Sequence, residues 1–234
     1  MALTVGDTVP SFNLPVQQGI GALPGGETLD ITTAYPGKWK ILFYWPKDFT
    51  FVCPTEIIGY GDLQGDFADR DAVLIGASTD TDFVHFAWRK SDERLAACDF
   101  PWLADNSKHL ADALGIVVKD AGVALRATFV IDPDNIIQHV TINGLNVGRN
   151  PAETLRILDA LQTDELCPCN WQGGEDTLKV AAYHFSPPHG GGDSRAARRM
   201  GVKAVPRRVR TPTRAAANAA SHSAPVKGEE QDPP

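Results

Sequence analysis

The chain has 234 residues, of which 43% are hydrophobic and 22% charged, and its formal net charge is −7. This composition is typical of a globular protein with one sizeable domain, and no apolar run approaches the ~20 residues that a membrane-spanning helix needs. The N-terminus shows no basic stretch followed by an apolar one, so we predict no export signal and expect a cytoplasmic protein.

Strand and helix patterns alternate along the chain up to about residue 163. Apolar, β-rich runs bounded by turn residues predict strands over 38–45, 72–78, 127–132 and 136–143. The turn signal PDN joins the last two as an antiparallel hairpin. Helical patterns occupy 54–69, 81–96, 107–114 and 152–162. This order predicts an α/β domain of thioredoxin-like fold, with a central mixed sheet flanked by helices.

The composition changes near residue 180. Residues 1–180 contain 13 basic and 25 acidic residues, whereas residues 181–234 contain 9 basic and 4 acidic ones. The second part has no aromatic residue after Phe185 and cannot bury enough apolar surface to offset its ordering entropy. We expect a disordered basic tail, which is either without function, an electrostatic arm, or the product of a shifted reading frame. The acidic first part argues against nucleic acid as a partner.

Cys53 lies in the segment FYWPKDFTFVCPTE, directly before the helix predicted from residue 54. Backbone N–H groups at a helix N-terminus favour an anion, so this position favours the reactive thiolate. A more acidic thiol is a weaker nucleophile, however, and a fast reaction also needs groups that stabilise the transition state. Thr50 can direct its hydroxyl at the sulfur from three residues away, and Pro46 can shield the pocket from water.

This segment resembles the active-site segment of the typical two-cysteine peroxiredoxins, with Pro46, Thr50 and Cys53 in the spacing P-x-x-x-T-x-x-C. The resemblance implies that Cys53 attacks the O–O bond of a hydroperoxide and becomes a sulfenic acid. Thr50 would bond the peroxide oxygens, and Pro46 would close the pocket. The implied activity is that of a thiol-dependent peroxidase acting on hydrogen peroxide and organic hydroperoxides.

Charged residues match family positions as well. Arg126 in LRATFVIDPD has the context of the arginine that the family places beside the sulfur, where its rigid fork of donors would hold the peroxide. Glu56 in CPTE is placed to orient that arginine. Arg149 in NVGRNP also matches a family position and is left without a definite role.

The resolving thiol is expected in DELCPCNW, residues 164–171. The resemblance implies that Cys167 forms a disulfide with Cys53 of a partner chain. This requires at least a homodimer, and the family commonly assembles dimers into rings. The additional Cys169 resembles the alkyl hydroperoxide reductase C subunits of actinobacterial type, and we expect it to act as an alternative or relay thiol.

Cofactors and metals are not expected. Two close cysteines are common zinc ligands, but zinc requires four ligands and the sequence has no second pair. No Cys-x-x-Cys, flavin or nucleotide motif occurs, so an external dithiol protein should supply the electrons.

We divide the chain into a peroxiredoxin domain (1–163), a resolving segment (164–180) and the tail (181–234). The alternative function is a redox-regulated holdase chaperone or peroxide sensor.

The helix after Cys53 carries Gly59, Gly61 and Gly65, each costing up to about 1 kcal/mol relative to alanine. This predicts a helix that unwinds easily. The resemblance implies such unwinding, because the region has to unfold locally before the sulfenic acid can meet the resolving thiol. Of the other reactive side chains, Cys98 is interpreted as structural and His85 as a packing residue.

Overall fold

The structure, a computed structural model, describes residues 2–179. The tail predicted over 181–234 lies outside the described residues. Within the described part, no helix combines the length and the apolar character needed to cross a bilayer.

Nine strands occur among the described residues: β1 (Leu14–Gln17), β2 (Thr28–Leu29), β3 (Trp39–Tyr44), β4 (Ala72–Ser78), β5 (Trp102–Ala104), β6 (Val117–Val118), β7 (Val123–Ala124), β8 (Arg126–Ile131) and β9 (Ile137–Asn143). Seven of them form one sheet in the order β2-β1-β5-β4-β3-β8-β9, and β6 pairs with β7. The β3–β4 and β4–β5 pairs are parallel, and the other pairs of the large sheet are antiparallel. The predicted mixed sheet and the β8–β9 hairpin are therefore confirmed.

Six helices occur in the same residues: α1 (Cys53–Asp62), α2 (Gln64–Ala68), α3 (Asp82–Ser91), α4 (Glu93–Ala96), α5 (His109–Ala113) and α6 (Pro151–Thr163). The single helix predicted over 54–69 is wrong, because the chain leaves helical geometry at Leu63, between two glycines. The helix predicted over 81–96 is also interrupted, at Asp92, whose side chain accepts from the Arg94 N–H and caps α4. A short polar side chain at such a position competes with the helix for its backbone donors.

Side chains along β3 and the residue after it point alternately into two hydrophobic cores, one on each face of the sheet. Ile41, Phe43 and Trp45 pack in the core that α1, α3 and α6 cover. Leu42 and Tyr44 pack in the core that α5 covers. The C-terminal end of β3 leads directly into the loop before Cys53, so a strand whose last five residues are all buried positions that loop.

Candidate active site

Cys53 is the first residue of α1 and only 1% exposed. No side chain caps this end of the helix, and Pro54 in the next position has no N–H to satisfy. The positive end of the helix dipole therefore acts on the sulfur from within the protein, where it is poorly screened by water.

Two side chains bring hydrogen-bond donors to the sulfur. The Thr50 hydroxyl lies 2.9 Å from Cys53 Sγ and 3.0 Å from the Lys47 carbonyl oxygen, so it can donate to either. Arg126, the first residue of β8, donates from Nη1 to Cys53 Sγ at 3.3 Å. Its Nε donates to the Leu145 carbonyl oxygen at 2.8 Å, which orients the guanidinium. The structure thus brings together three of the residues predicted from the sequence.

Glu56, on the first turn of α1, lies between two arginines. Arg126 Nη1 donates to its Oε2, while the backbone N–H and Nε of Arg149 donate to its Oε1 at 2.9 and 2.8 Å. All three side chains are at most 5% exposed. Removing one partner would leave an uncompensated charge in the interior, which is costly. Glu56 therefore holds the Arg126 guanidinium in its place beside the sulfur.

The Arg126 guanidinium keeps its charge in this setting. Burial alone would lower its pKa, but the hydrogen bond to Cys53 and the charges of Glu56 and Cys53 outweigh burial and raise the pKa above its ordinary value. Arginine is protonated throughout the physiological pH range even without such a shift. The site therefore offers a permanent positive charge to the sulfur and to any atom bonded to it.

Buried polar contacts hold the loop between β3 and α1. Asp48 accepts a hydrogen bond from Trp45 Nε1 at 2.7 Å, and its other oxygen lies 2.7 Å from His85 Nδ1. Its backbone N–H donates to Asp80 at 2.9 Å. The sequence predicts His85 only as a packing residue, and it does not point to Asp48 at all, because a single acidic residue in a loop has no diagnostic spacing. Together they fix the chain two residues before Thr50.

The same loop contains a buried residue and a strained one. Pro46, two residues after the end of β3, is buried. Phe49 is exposed and has a φ of 53°, a left-handed conformation that costs a residue other than glycine about 1–3 kcal/mol. Such strain persists only where neighbouring contacts over-determine the backbone, as the contacts of Asp48 do here.

Residues 164–179 continue from α6 and are anchored by Trp171. Its side chain is buried, and its indole N–H donates to the Glu175 carbonyl oxygen at 3.0 Å. Its own carbonyl oxygen accepts from Arg156 Nη1, on α6, at 2.9 Å. The segment that carries Cys167 and Cys169 is thus tied to α6 on one side.

The two cysteines of this segment differ in exposure. Cys167 is partly buried, with its Sγ 3.4 Å from Thr163 Oγ1, whereas Cys169 is exposed. Both are free thiols, as is Cys53. Over residues 2–179, no group of three or more His, Cys, Asp or Glu side chains is arranged to hold a metal ion.

Comparisons with known proteins identify relatives of this chain. Residues 5–140 match the model of the AhpC/TSA family. The chain is 48% identical over 185 residues to alkyl hydroperoxide reductase C of Mycolicibacterium smegmatis. This match covers 76% of this chain and 94% of the relative. It is 42% identical over 190 residues to a thioredoxin peroxidase of Echinococcus granulosus, covering 78% of this chain and 95% of the relative.

Solved structures of peroxiredoxins and of AhpC match the chain as well. Mycobacterium tuberculosis AhpC matches with a TM-score of 0.66 and 45% identity, covering 74% of this chain and 100% of that one. Reduced 2-Cys peroxiredoxin of Plasmodium vivax matches with a TM-score of 0.69 and 33% identity, covering 75% and 92%. These relatives confirm the predicted peroxiredoxin variant of the thioredoxin-like fold and the resemblance to alkyl hydroperoxide reductase C subunits of actinobacterial type. With the family match spanning both the loop before Cys53 and the strand that carries Arg126, the chain belongs to the AhpC/TSA family.

Proposed function

We propose that the protein is a thiol-dependent peroxidase that reduces hydrogen peroxide and organic hydroperoxides. The observation that carries this function is the pair of donors, one from Thr50 and one from Arg126, directed at the sulfur of a buried cysteine at a helix start. The names of the relatives, alkyl hydroperoxide reductase C and thioredoxin peroxidase, support it. They give no support to the alternative of a holdase chaperone or peroxide sensor.

In the first half of the proposed cycle, the Cys53 thiolate attacks one oxygen of the hydroperoxide. An S–O bond forms, the O–O bond breaks, and the leaving oxygen takes a proton to become water or an alcohol. Negative charge moves from the sulfur to the leaving oxygen, and the donors of Arg126 and Thr50, which lie 3.3 and 2.9 Å from the sulfur, would stabilise that charge. Fixed donors in a buried site stabilise such charge more than water does.

Three further residues support this step without touching the reacting atoms. Glu56 acts as a positioning residue for Arg126, and Arg149 holds Glu56 from its other side. Pro46 limits the access of water to the pocket. Each of these roles follows from burial and hydrogen bonding and not from direct chemistry.

In the second half, the sulfenic acid condenses with Cys167 of a partner subunit to give a disulfide and water, and an external dithiol protein reduces that disulfide. A homodimer is supported by β9, which forms one edge of the large sheet in the described residues; its first residue, Ile137, pairs with Gly6 and Asp7, and the rest of this edge could pair with a second copy. Exposed aromatic side chains next to the active-site loop support further assembly, such as a ring; they are Phe49, Phe51 and Phe83.

The proposal assigns residues 1–163 to the peroxidase domain and residues 164–180 to the resolving segment. Four free thiols and a need for an external dithiol suit a reducing compartment. We therefore place the protein in the cytoplasm.

The purified full-length chain should consume hydrogen peroxide and cumene hydroperoxide in the presence of dithiothreitol. The expected kinetics are first order in protein and in peroxide, measured by stopped-flow absorbance against the same mixture without protein. No consumption above that background by the native protein would reject the peroxidase function.

Cys167→Ser should prevent the disulfide-linked dimer that one equivalent of peroxide produces, whereas Cys169→Ser should retain it. Cys169 is exposed and accessible to an external dithiol, so we expect its loss to slow turnover with a protein reductant. Non-reducing electrophoresis and turnover assays separate the two roles. A dimer that persists in Cys167→Ser would contradict the first role, and unchanged turnover of Cys169→Ser with every reductant would contradict the second.

A further inference from the structure

Tyr60 lies in α1 and is completely buried. Its hydroxyl lies 3.0 Å from Thr128 Oγ1, on β8, and 3.1 Å from Thr154 Oγ1, on α6. A tyrosine hydroxyl can donate one hydrogen bond and accept another, so it can bond both threonines at once. The sequence does not single out this residue, because a tyrosine on the apolar face of a helix is indistinguishable from ordinary core.

This hydroxyl joins the three elements that position the residues of the proposed catalytic cycle. The helix α1 carries Cys53, the strand β8 carries Arg126, and α6 leads to Cys167. Thr128 also accepts a hydrogen bond from Arg149 Nη1 at 3.3 Å. The tether is therefore continuous with the buried ion pairs that place Arg126 beside the sulfur.

Cys53 has to leave its pocket before it can form a disulfide. The residue is 1% exposed, and a disulfide requires the two Cβ atoms to approach within about 3.5–4.5 Å. A thiol from another subunit cannot reach it while the start of α1 is folded around the sulfur. The contacts that fasten α1 to its neighbours therefore control how often the sulfur becomes accessible.

The glycines on either side of Tyr60 have a packing role in addition to softening the helix. A Cβ atom at Gly59 would lie 3.3 Å from Pro151 Cγ, and one at Gly61 would lie 2.7 Å from Cys98 Sγ. Both glycines let α1 lie close against its neighbours, and both leave its backbone intrinsically easy to unwind. In such a helix, each buried polar contact to a neighbouring element, that of Tyr60 as well as that of Glu56, has a large share in the stability of the folded form.

We propose that the Tyr60 hydroxyl is a latch, which keeps α1 folded during the attack on peroxide and sets the rate at which it opens for disulfide formation. The proposal rests on the peroxidase function proposed above. While α1 is closed, a sulfenic acid can meet a second hydroperoxide and give a sulfinic acid and an alcohol. Once α1 is open, it condenses with a thiol to give a disulfide and water. The latch thus sets the balance between inactivation and resolution.

Tyr60→Phe removes the hydroxyl and keeps the ring, which stacks on Phe43 with 4.1 Å between centroids. In the reduced full-length protein, hydrogen exchange of the α1 amides should become roughly tenfold faster, the equivalent of about 1.4 kcal/mol for the two lost hydrogen bonds. After addition of peroxide, stopped-flow fluorescence should show an unchanged phase of Cys53 oxidation and a faster disulfide phase. Mass spectrometry should find less sulfinic acid. Thr154→Val, which removes one of the two hydrogen bonds of the Tyr60 hydroxyl, should give a smaller change in the same direction.

Tyr44→Phe is the matched control. Tyr44 is equally buried, and its hydroxyl donates to Asp105 at 3.1 Å, but it lies in the core on the other face of the sheet. This variant should destabilise the fold and leave α1 exchange and the disulfide phase unchanged. Equal acceleration in both variants would refute the latch.

The test separates failure of the latch from failure of the peroxidase function. If the native protein oxidises Cys53 but Tyr60→Phe has native exchange and disulfide rates, the latch is refuted and the function stands. If the native protein does not react with peroxide, the function fails, and an unchanged α1 exchange rate in Tyr60→Phe would refute the latch as well.

Discussion

Cys53→Ser should abolish peroxide consumption, with a fall of at least about a thousandfold, because the variant loses the nucleophile. Serine preserves the size of the side chain and the start of α1, but its hydroxyl is not ionised at neutral pH and does not attack an O–O bond. Stopped-flow peroxide consumption with excess dithiothreitol measures the rate. Intact-mass spectrometry after one equivalent of peroxide should show no oxygen added to this variant.

Cys98→Ser is the matched control for that experiment. Cys98 is also buried, and burial raises the pKa of its thiol to about 11, with Arg89 opposing the shift. It is therefore protonated, and unreactive, at neutral pH. This variant should keep peroxidase activity. Activity retained in Cys53→Ser, or abolished in a folded Cys98→Ser protein, would contradict the assignment of Cys53 as the nucleophile.

Arg126→Lys should lower the rate constant for oxidation of Cys53 by roughly 10²–10³-fold, the usual cost of removing one donor that stabilises charge in a transition state. The arginine fork bonds Cys53 and Glu56 from Nη1 and the Leu145 carbonyl from Nε. A lysine ammonium keeps the charge but lacks the planar fork that serves these partners together. Single-turnover stopped-flow measurements of Cys53 oxidation test this directly.

Arg70→Lys provides a comparison with another paired arginine. Arg70 forms a partly exposed ion pair with Asp159 and makes no contact with the residues that surround the sulfur. Its substitution should leave the oxidation rate unchanged. A native oxidation rate in Arg126→Lys would show that positive charge alone is sufficient and that the fork is not required. Circular dichroism of each variant excludes a trivial effect of unfolding.

The sequence predicts the long strands of the fold correctly and misses the short ones. β3, β4, β8 and β9 have six or seven residues each, enough to show an apolar run between turns. β1, β2 and β5 have two to four residues and become strands by pairing with segments that are far away in the chain, as when Gln17 pairs with Trp102. Such pairing is absent from any local pattern.

The proposed nucleophile and one of its two donors were predicted from the sequence alone, because they lie in one short segment. Thr50 and Cys53 are three residues apart, and Pro54 at the start of the helix follows Cys53 directly. This spacing can be recognised in the sequence without knowledge of the fold. The placement of Glu56 between two arginines was decided by the tertiary structure, since these partners come from 70 and 93 residues along the chain.

The anchoring of the site was also decided only by tertiary structure. The contact of Asp48 with His85 spans 37 residues, and the two contacts of the Tyr60 hydroxyl span 68 and 94. Hydrogen bonds between distant segments depend on how the sheet and helices pack, and no spacing in the sequence encodes them. The sequence therefore singled out the cysteine that we propose reacts, and the fold decided which distant side chains hold its sulfur in place.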